Sequence, residues 1–200
     1  MTHLILARHG NTFDPGDKVV WVGSGSDLPL VAKGRDQAHA AARRLQEMCL
    51  LPSRVWAASL KRTSEFASIV CDDLKLSPPM IDSRLNEIHY GRWEGATTEE
   101  ISAEPERAQA LELWQQADIW PDCLGWRTTQ AEVMANLAAV FSDIALGRDD
   151  ETVMIVSSNG ILRFVPRFLG IDGSRSYRLK TGAMGAVEQS TEGWRLLFWE

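Results

Sequence analysis

Four short polar clusters in this 200-residue chain combine residue types that can hold and attack a phosphorus centre. They are Arg8-His9-Gly10-Asn11-Thr12, Ser59-Leu60-Lys61-Arg62-Thr63, Leu85-Asn86-Glu87-Ile88-His89-Tyr90-Gly91 and Ser157-Ser158-Asn159-Gly160. A phosphate ester resists nucleophiles because its own negative charge repels them. Arg8 and Arg62 each offer a fixed fork of donors for two phosphoryl oxygens. The same forks stabilise charge on the equatorial oxygens in the transition state, so the chemistry requires no metal ion. His9 can attack phosphorus only when neutral, and its ordinary pKa of about 6.5 permits that form at physiological pH. Neighbouring arginine charge favours the neutral form further.

These clusters need elements that bring them to one edge. His3 to Ala7 is a short apolar run that reads as a buried parallel strand opening into the Arg8-His9 loop. Asp14 to Pro29, rich in glycine and proline, is a long loop of the kind that binds a ligand or stays disordered. Val31 to Met48 has helical spacing, with Ala38, Ala41, Ala42 and Leu45 on one stripe. Ser53 to Ala58 is a strand, and Ser59 is expected to cap a helix reaching Leu74. Met80 to Leu85 reads as a further strand. Thr97-Thr98-Glu99-Glu100 carries a capping-box signal. A long helix is expected from Thr129 to Leu146, ended by Gly147. Thr152 to Val156 is a strand, Ile161 to Leu169 a helix, and Ala183–Gln189 with Trp194–Trp199 a closing hairpin.

This alternation predicts an α/β fold: a three-layer sandwich with a mostly parallel sheet and helices on both faces. Residues 92–127 break the alternation and are expected to form a helical insertion over the sheet's C-terminal edge, where open α/β sheets bind ligands. Residues 1–200 read as one domain.

Composition narrows the partners. Net charge is −6, so no global basic field draws in nucleic acid or an anionic membrane, and any anion site must be a local arrangement. The N-terminal apolar run is too short for a membrane span and lacks the features of a signal peptide. Cys49, Cys71 and Cys123 are odd in number and widely spaced, which argues for a reducing compartment, with the cytosol expected. No spacing of histidine and cysteine suggests a zinc site, no phosphate-cradling Walker loop is present, and Ser157-Ser158 lacks the glycines of a nucleophile elbow. Neither cofactor nor metal is expected. The sequence is compatible with a homodimer and does not decide it.

The ordered set of clusters resembles the histidine phosphatase superfamily, the phosphoglycerate-mutase-like proteins. The resemblance runs through Arg8-His9-Gly10, Asp27-Leu28-Pro29-Leu30 before the helix with Gly34 and Gln37-Ala38, Ser59 to Thr63, Leu85-Asn86-Glu87, Gly91-Arg92-Trp93-Glu94-Gly95 and the final hairpin. It implies a phospho-His9 intermediate later hydrolysed by water, with Glu87 as general acid and then base. Arg8, Arg62, Asn11, Ser158 and Asn159 are the expected phosphate-binding residues.

Two positions depart from the family pattern. Ser158 stands where the family carries a second catalytic histidine, and Pro15 where it commonly has a phosphate-binding asparagine. Ser158 and Asn159 can donate neutral hydrogen bonds, which are weaker than charge-assisted ones, or serve only as a helix cap. His89 is a candidate substitute donor. The expected function is a metal-independent phosphomonoesterase acting on a small phosphorylated substrate. A phosphate-binding protein without turnover is the alternative from another class, and a phosphoglycerate mutase the enzymatic one. Trp93, Trp114, Trp120 and Trp126 either form an aromatic lid or, in the blander reading, pack the insertion onto the sheet.

Overall fold

The structure, a computed structural model, describes residues 2–121, 125–144, 151–171 and 176–200. Leu4, Ile5, Leu6 and Ala7 are wholly buried, as a strand covered on both faces requires. They belong to β1 (Thr2–Arg8), which is followed by α1 (Ala32–Glu47), β2 (Arg54–Ala57), α2 (Lys61–Leu74) and β3 (Met80–Ile81). The middle region supplies α3 (Thr98–Ser102), α4 (Pro105–Ala117) and α5 (Gln130–Ile144). Then come β4 (Thr152–Ser157), the short α6 (Asn159–Leu162) and α7 (Val165–Phe168), and the hairpin β5 (Met184–Ser190) and β6 (Gly193–Trp199).

The strands form one mixed sheet in the order β3-β2-β4-β1-β5-β6. The first four in that order run parallel, while β5 is antiparallel to both β1 and β6. Alternation along β1 and β4 divides the core. Leu4, Leu6, Val153 and Ile155 pack with Leu137 and Val140 of α5, whereas Ile5, Ala7, Met154 and Val156 pack with Ala38 of α1 and Phe66 of α2. Side chains that alternate across a strand thus feed a helical layer on each face. Each fully buried aliphatic side chain contributes about 1.5–3 kcal/mol relative to exposure.

Several boundaries differ from expectation for identifiable reasons. Ser59 does not cap α2: its amide and hydroxyl both donate to Asn86 Oδ1, at 2.8 and 3.0 Å, and Asp27 Oδ1 instead accepts from the Lys61 amide at 2.7 Å. The strand expected over Met80–Leu85 is only two residues long, because Asp82 turns the chain by accepting from the Arg84 amide and starts a 3₁₀ turn at Ser83–Leu85. The single helix expected after Asn159-Gly160 is two pieces, since Pro166 has no amide to donate to the carbonyl four residues back. Gly147 and Cys123 lie outside the described residues. No helix among the described residues is long and apolar enough to cross a membrane.

The capping box at Thr97 is formed in both directions, with Thr97 Oγ1 accepting from the Glu100 amide and Glu100 Oε2 accepting from the Thr97 amide. Thr97→Ala is expected to cost about 1 kcal/mol and to increase fraying of α3. Amide hydrogen exchange at Glu100 and Ile101 checks this; protection equal to the wild type would show the cap to be dispensable.

Candidate active site

The C-terminal ends of β1 and β4 lie side by side, with Arg8 registered against Ser157. The loops after β1, β2 and β4 therefore converge, which is why clusters far apart in sequence share one site. Gly10 makes the approach possible: a Cβ there would lie 2.3 Å from the carbonyl oxygen of Gly34, so α1 packs directly onto the loop.

His9 is buried, and its Nδ1 lies 2.8 Å from the carbonyl oxygen of Gly10. A carbonyl only accepts, so in the neutral ring Nδ1 carries the proton and Nε2 keeps its lone pair. Burial, then the charges of Arg8 and Arg62, hold His9 well below the usual histidine range. That shift favours the neutral ring at physiological pH.

The two arginines are braced by backbone carbonyls. Arg62, only 1% exposed, donates to the carbonyls of Ser26 at 2.7 Å and Gly23 at 3.1 Å. The loop of Gly23 to Ser26 therefore orients a guanidinium, and Glu94 packs close against Gly23 and Gly25. Arg8 donates to the carbonyl of Leu179 at 2.8 Å, and its buried Nε has no hydrogen-bond partner. A buried donor without an acceptor is costly, and a bound anion would satisfy it.

Glu87 is buried on the same side. Its Oε1 accepts from the Ile88 amide at 2.9 Å and its Oε2 from the Gly160 amide at 3.3 Å, while the Tyr90 hydroxyl bonds to the same carboxyl group. Gly160 admits this contact, since a Cβ there would sit 2.2 Å from Glu87 Oε1. Burial pushes Glu87 above the ordinary carboxylate range, against the pull of the Ile88 amide and Arg62. A carboxyl biased toward its protonated form beside a phosphate site can act as a general acid.

Arg8, His9, Asn11, Arg62 and Glu87 line a common cavity of about 440 Å³. Of the residues expected from sequence, these five are brought together. Asn11 lies at one wall, its Oδ1 accepting from Thr181 Oγ1 at 2.6 Å. Pro15 lines the same cavity and offers no donor. Ser158 and Asn159 do not line it. Ser158 Oγ is fully buried without a partner and forms no cap, while Asn159 Oδ1 accepts from the Leu179 amide at 2.9 Å and so braces the segment that carries the Arg8 acceptor. His89 is not a substitute donor here: its Nδ1 lies 3.0 Å from Glu94 Oε1, and it does not line the cavity. Lys33 and Thr181 are lining residues that sequence reasoning missed, because neither falls in a recognisable cluster.

The tryptophans mostly pack. Trp93 and Trp114 are 1% exposed and Trp120 9%, and Trp126 makes edge-on contacts with all three at ring-centroid separations of 4.9–5.3 Å. This aromatic block joins the insertion to the sheet.

The family model of the histidine phosphatase superfamily (branch 1) matches residues 4–200. A probable phosphoglycerate mutase of Yersinia enterocolitica is 26% identical over an alignment covering 100% of this chain and 90% of that protein. A 2,3-bisphosphoglycerate-dependent phosphoglycerate mutase of Latilactobacillus sakei is 37% identical over 97 residues, 48% of this chain and only 40% of that protein. Among solved structures, the Shigella flexneri alpha-ribazole phosphatase has a TM-score of 0.73 at 24% identity, covering 98% of this chain and 95% of that one. A mycobacterial glucosyl-3-phosphoglycerate phosphatase has a TM-score of 0.77 at 23% identity, covering 98% of each chain. These likenesses establish a shared fold.

Proposed function

The chain belongs to the histidine phosphatase superfamily, and from that premise we propose that it is a phosphomonoesterase working through phospho-His9 without a metal ion. The observation that carries the reading is the 2.8 Å contact of His9 Nδ1 with the Gly10 carbonyl, which leaves Nε2 available in a cavity lined also by Arg8, Arg62 and Glu87.

The steps follow from the residues. Arg8 and Arg62 hold the phosphoryl oxygens and spread the transition-state charge. The Nε2 lone pair of His9 forms a bond to phosphorus as the bond to the ester oxygen breaks. Glu87 passes its proton to that oxygen, releasing an alcohol. The Gly10 carbonyl continues to accept from Nδ1–H and so supports the positive charge of phosphohistidine. Water then attacks phosphorus, the ionised Glu87 takes its proton, the phosphorus–nitrogen bond breaks, and inorganic phosphate leaves. Two easier steps replace one difficult one.

Two pKa shifts set the pH profile. Attack needs neutral His9, whose depressed pKa moves the acid limb of kcat/KM below the usual histidine range. Proton donation needs protonated Glu87, whose raised pKa moves the alkaline limb above the usual carboxylate range. Glu87→Gln is expected to remove the alkaline limb and to lower kcat/KM, which excludes the later hydrolysis step shared by both substrates, about a hundredfold on an alkyl phosphate. On p-nitrophenyl phosphate, whose leaving phenolate needs little protonation, the loss is expected to be about tenfold or less. Equal losses on both substrates would count against Glu87 as the acid.

Ser158 favours one competing reading, a protein that binds phosphorylated ligands without turnover, because it supplies no donor to the cavity. Tight phosphate binding with no hydrolysis would support that reading over a slow enzyme. The mutase reading draws on the relatives' names, yet a mutase must shield its phosphohistidine from water, which fewer phosphate contacts make harder.

A further inference from the structure

Glu94 lies outside the cavity around His9, yet its side chain is only 11% exposed and is surrounded by donors. Its Oε1 accepts from the Tyr90 amide at 3.1 Å and, more weakly, from the Gly25 amide at 3.4 Å. Its Oε2 lies 3.5 Å from Ser26 Oγ, and His89 closes one side with Nδ1 3.0 Å from Oε1. The seat is shaped for a carboxylate. A Cβ on Gly23 would lie 2.1 Å from Oε1, and one on Gly25 would lie 2.5 Å from Oε2. Neither glycine has the positive φ that would otherwise call for one, so close approach of Glu94 is what requires them.

The same loop holds Arg62. The carbonyls of Ser26 and Gly23 accept from its two terminal nitrogens at 2.7 and 3.1 Å. Ser26 thus faces Glu94 with its hydroxyl and Arg62 with its carbonyl. A short piece of backbone separates the carboxylate from the guanidinium, and across it the charge of Glu94 favours the charged form of Arg62. Elsewhere the loop is held by the amides of Trp21 and Ser24, which donate to the carbonyls of Ala96 and Ile88. Those bonds do not reach Gly25 or the Ser26 hydroxyl, where Glu94 makes its contacts.

We propose that Glu94 is a positioning residue for Arg62: seated between Gly23 and Gly25, it fixes the two carbonyls that aim the guanidinium at a phosphoryl group. The proposal rests on the phosphatase reading only for what Arg62 holds.

Binding of orthovanadate, a mimic of the five-coordinate phosphoryl-transfer state, tests this without turnover. In titration calorimetry of the full chain, Arg62→Ala is expected to weaken binding about a hundredfold, as loss of a charge-assisted fork implies. Glu94→Gln is expected to weaken it about tenfold in the wild type and less than about twofold in the Arg62→Ala background. Gly25→Ala, which drives a methyl group into the carboxylate and leaves both charged side chains in place, is expected to reproduce that pattern. The Nη proton signals of Arg62, identified by their loss in Arg62→Ala, are expected to be resolved in the wild type and averaged by free rotation in Glu94→Gln. A loss of affinity of equal size in both backgrounds, or none in either, would overturn the proposal, as would Arg62 signals unchanged by Glu94→Gln. Unaltered vanadate affinity in Arg62→Ala would instead sink the phosphate-holding role of Arg62, while averaged signals in Glu94→Gln would still support its positioning by Glu94.

Discussion

His9→Ala is expected to reduce hydrolysis of p-nitrophenyl phosphate in excess chelator by at least about four orders of magnitude. Loss of a nucleophile removes the covalent route, leaving only what binding and charge stabilisation by Arg8 and Arg62 contribute. The substitution opens space near two guanidinium groups, that of the buried Arg62 and that of the half-buried Arg8, whose carbonyl partners are untouched, so the fold is expected to persist. Rapid quench of the wild type with labelled substrate is expected to trap an acid-labile, base-stable phosphoenzyme that the variant lacks. Turnover that survives the substitution would reject His9 as the nucleophile. Turnover abolished by chelator in the wild type would reject the metal-free mechanism.

Ser158→His is expected to raise kcat about a hundred- to a thousandfold on the same substrate. The argument starts from what the serine does. Its hydroxyl is fully buried, has no hydrogen-bond partner, caps nothing and does not reach the cavity around His9. An imidazole is longer than the serine side chain and would start from the β4 end, which lies beside the β1 end that carries Arg8. It would add a donor to the phosphoryl oxygens, and one such donor to a developing anion is typically worth that factor. The burst of phenolate and the steady-state rate distinguish the outcomes: a larger burst with faster turnover supports a missing phosphate contact. No gain in a variant of unchanged melting temperature would mean that the site works without a donor there.

Much of the site was legible because its groups fall at strand ends. Arg8 and His9 follow a run of buried apolar residues, and Glu87 follows a 3₁₀ turn that closes on β2 through Ser59 and Asn86. Polar residues abruptly ending an apolar run signal chain that leaves the core at a sheet edge. The helix stripe of Ala38, Ala41, Ala42 and Leu45 and the capping box at Thr97 were equally readable, since both are local patterns of three or four residues. The mistaken cap at Ser59 had the right residue type, but the true partner, Asp27, lies 34 residues away. Local propensity has no access to such a competitor.

By itself the sequence pointed to His9, Arg8, Arg62 and Glu87 as candidate site residues, through residue type and the ordered motifs of the family resemblance, and it determined the α/β alternation that brings them to one edge, because that alternation is encoded by short-range period. Tertiary structure alone decided how those groups are aimed. The Gly10 carbonyl selects the His9 tautomer, the carbonyls of Gly23 and Ser26 lock Arg62, and Gly160 leaves room for Glu87. It also diverted Asn159 to the Leu179 amide and gathered Arg163 and Arg178 beside Glu87 in a second cavity. Each of these outcomes depends on which distant backbone group arrives within hydrogen-bonding reach, and packing of the two helical layers against the sheet, not any local pattern, sets that arrival.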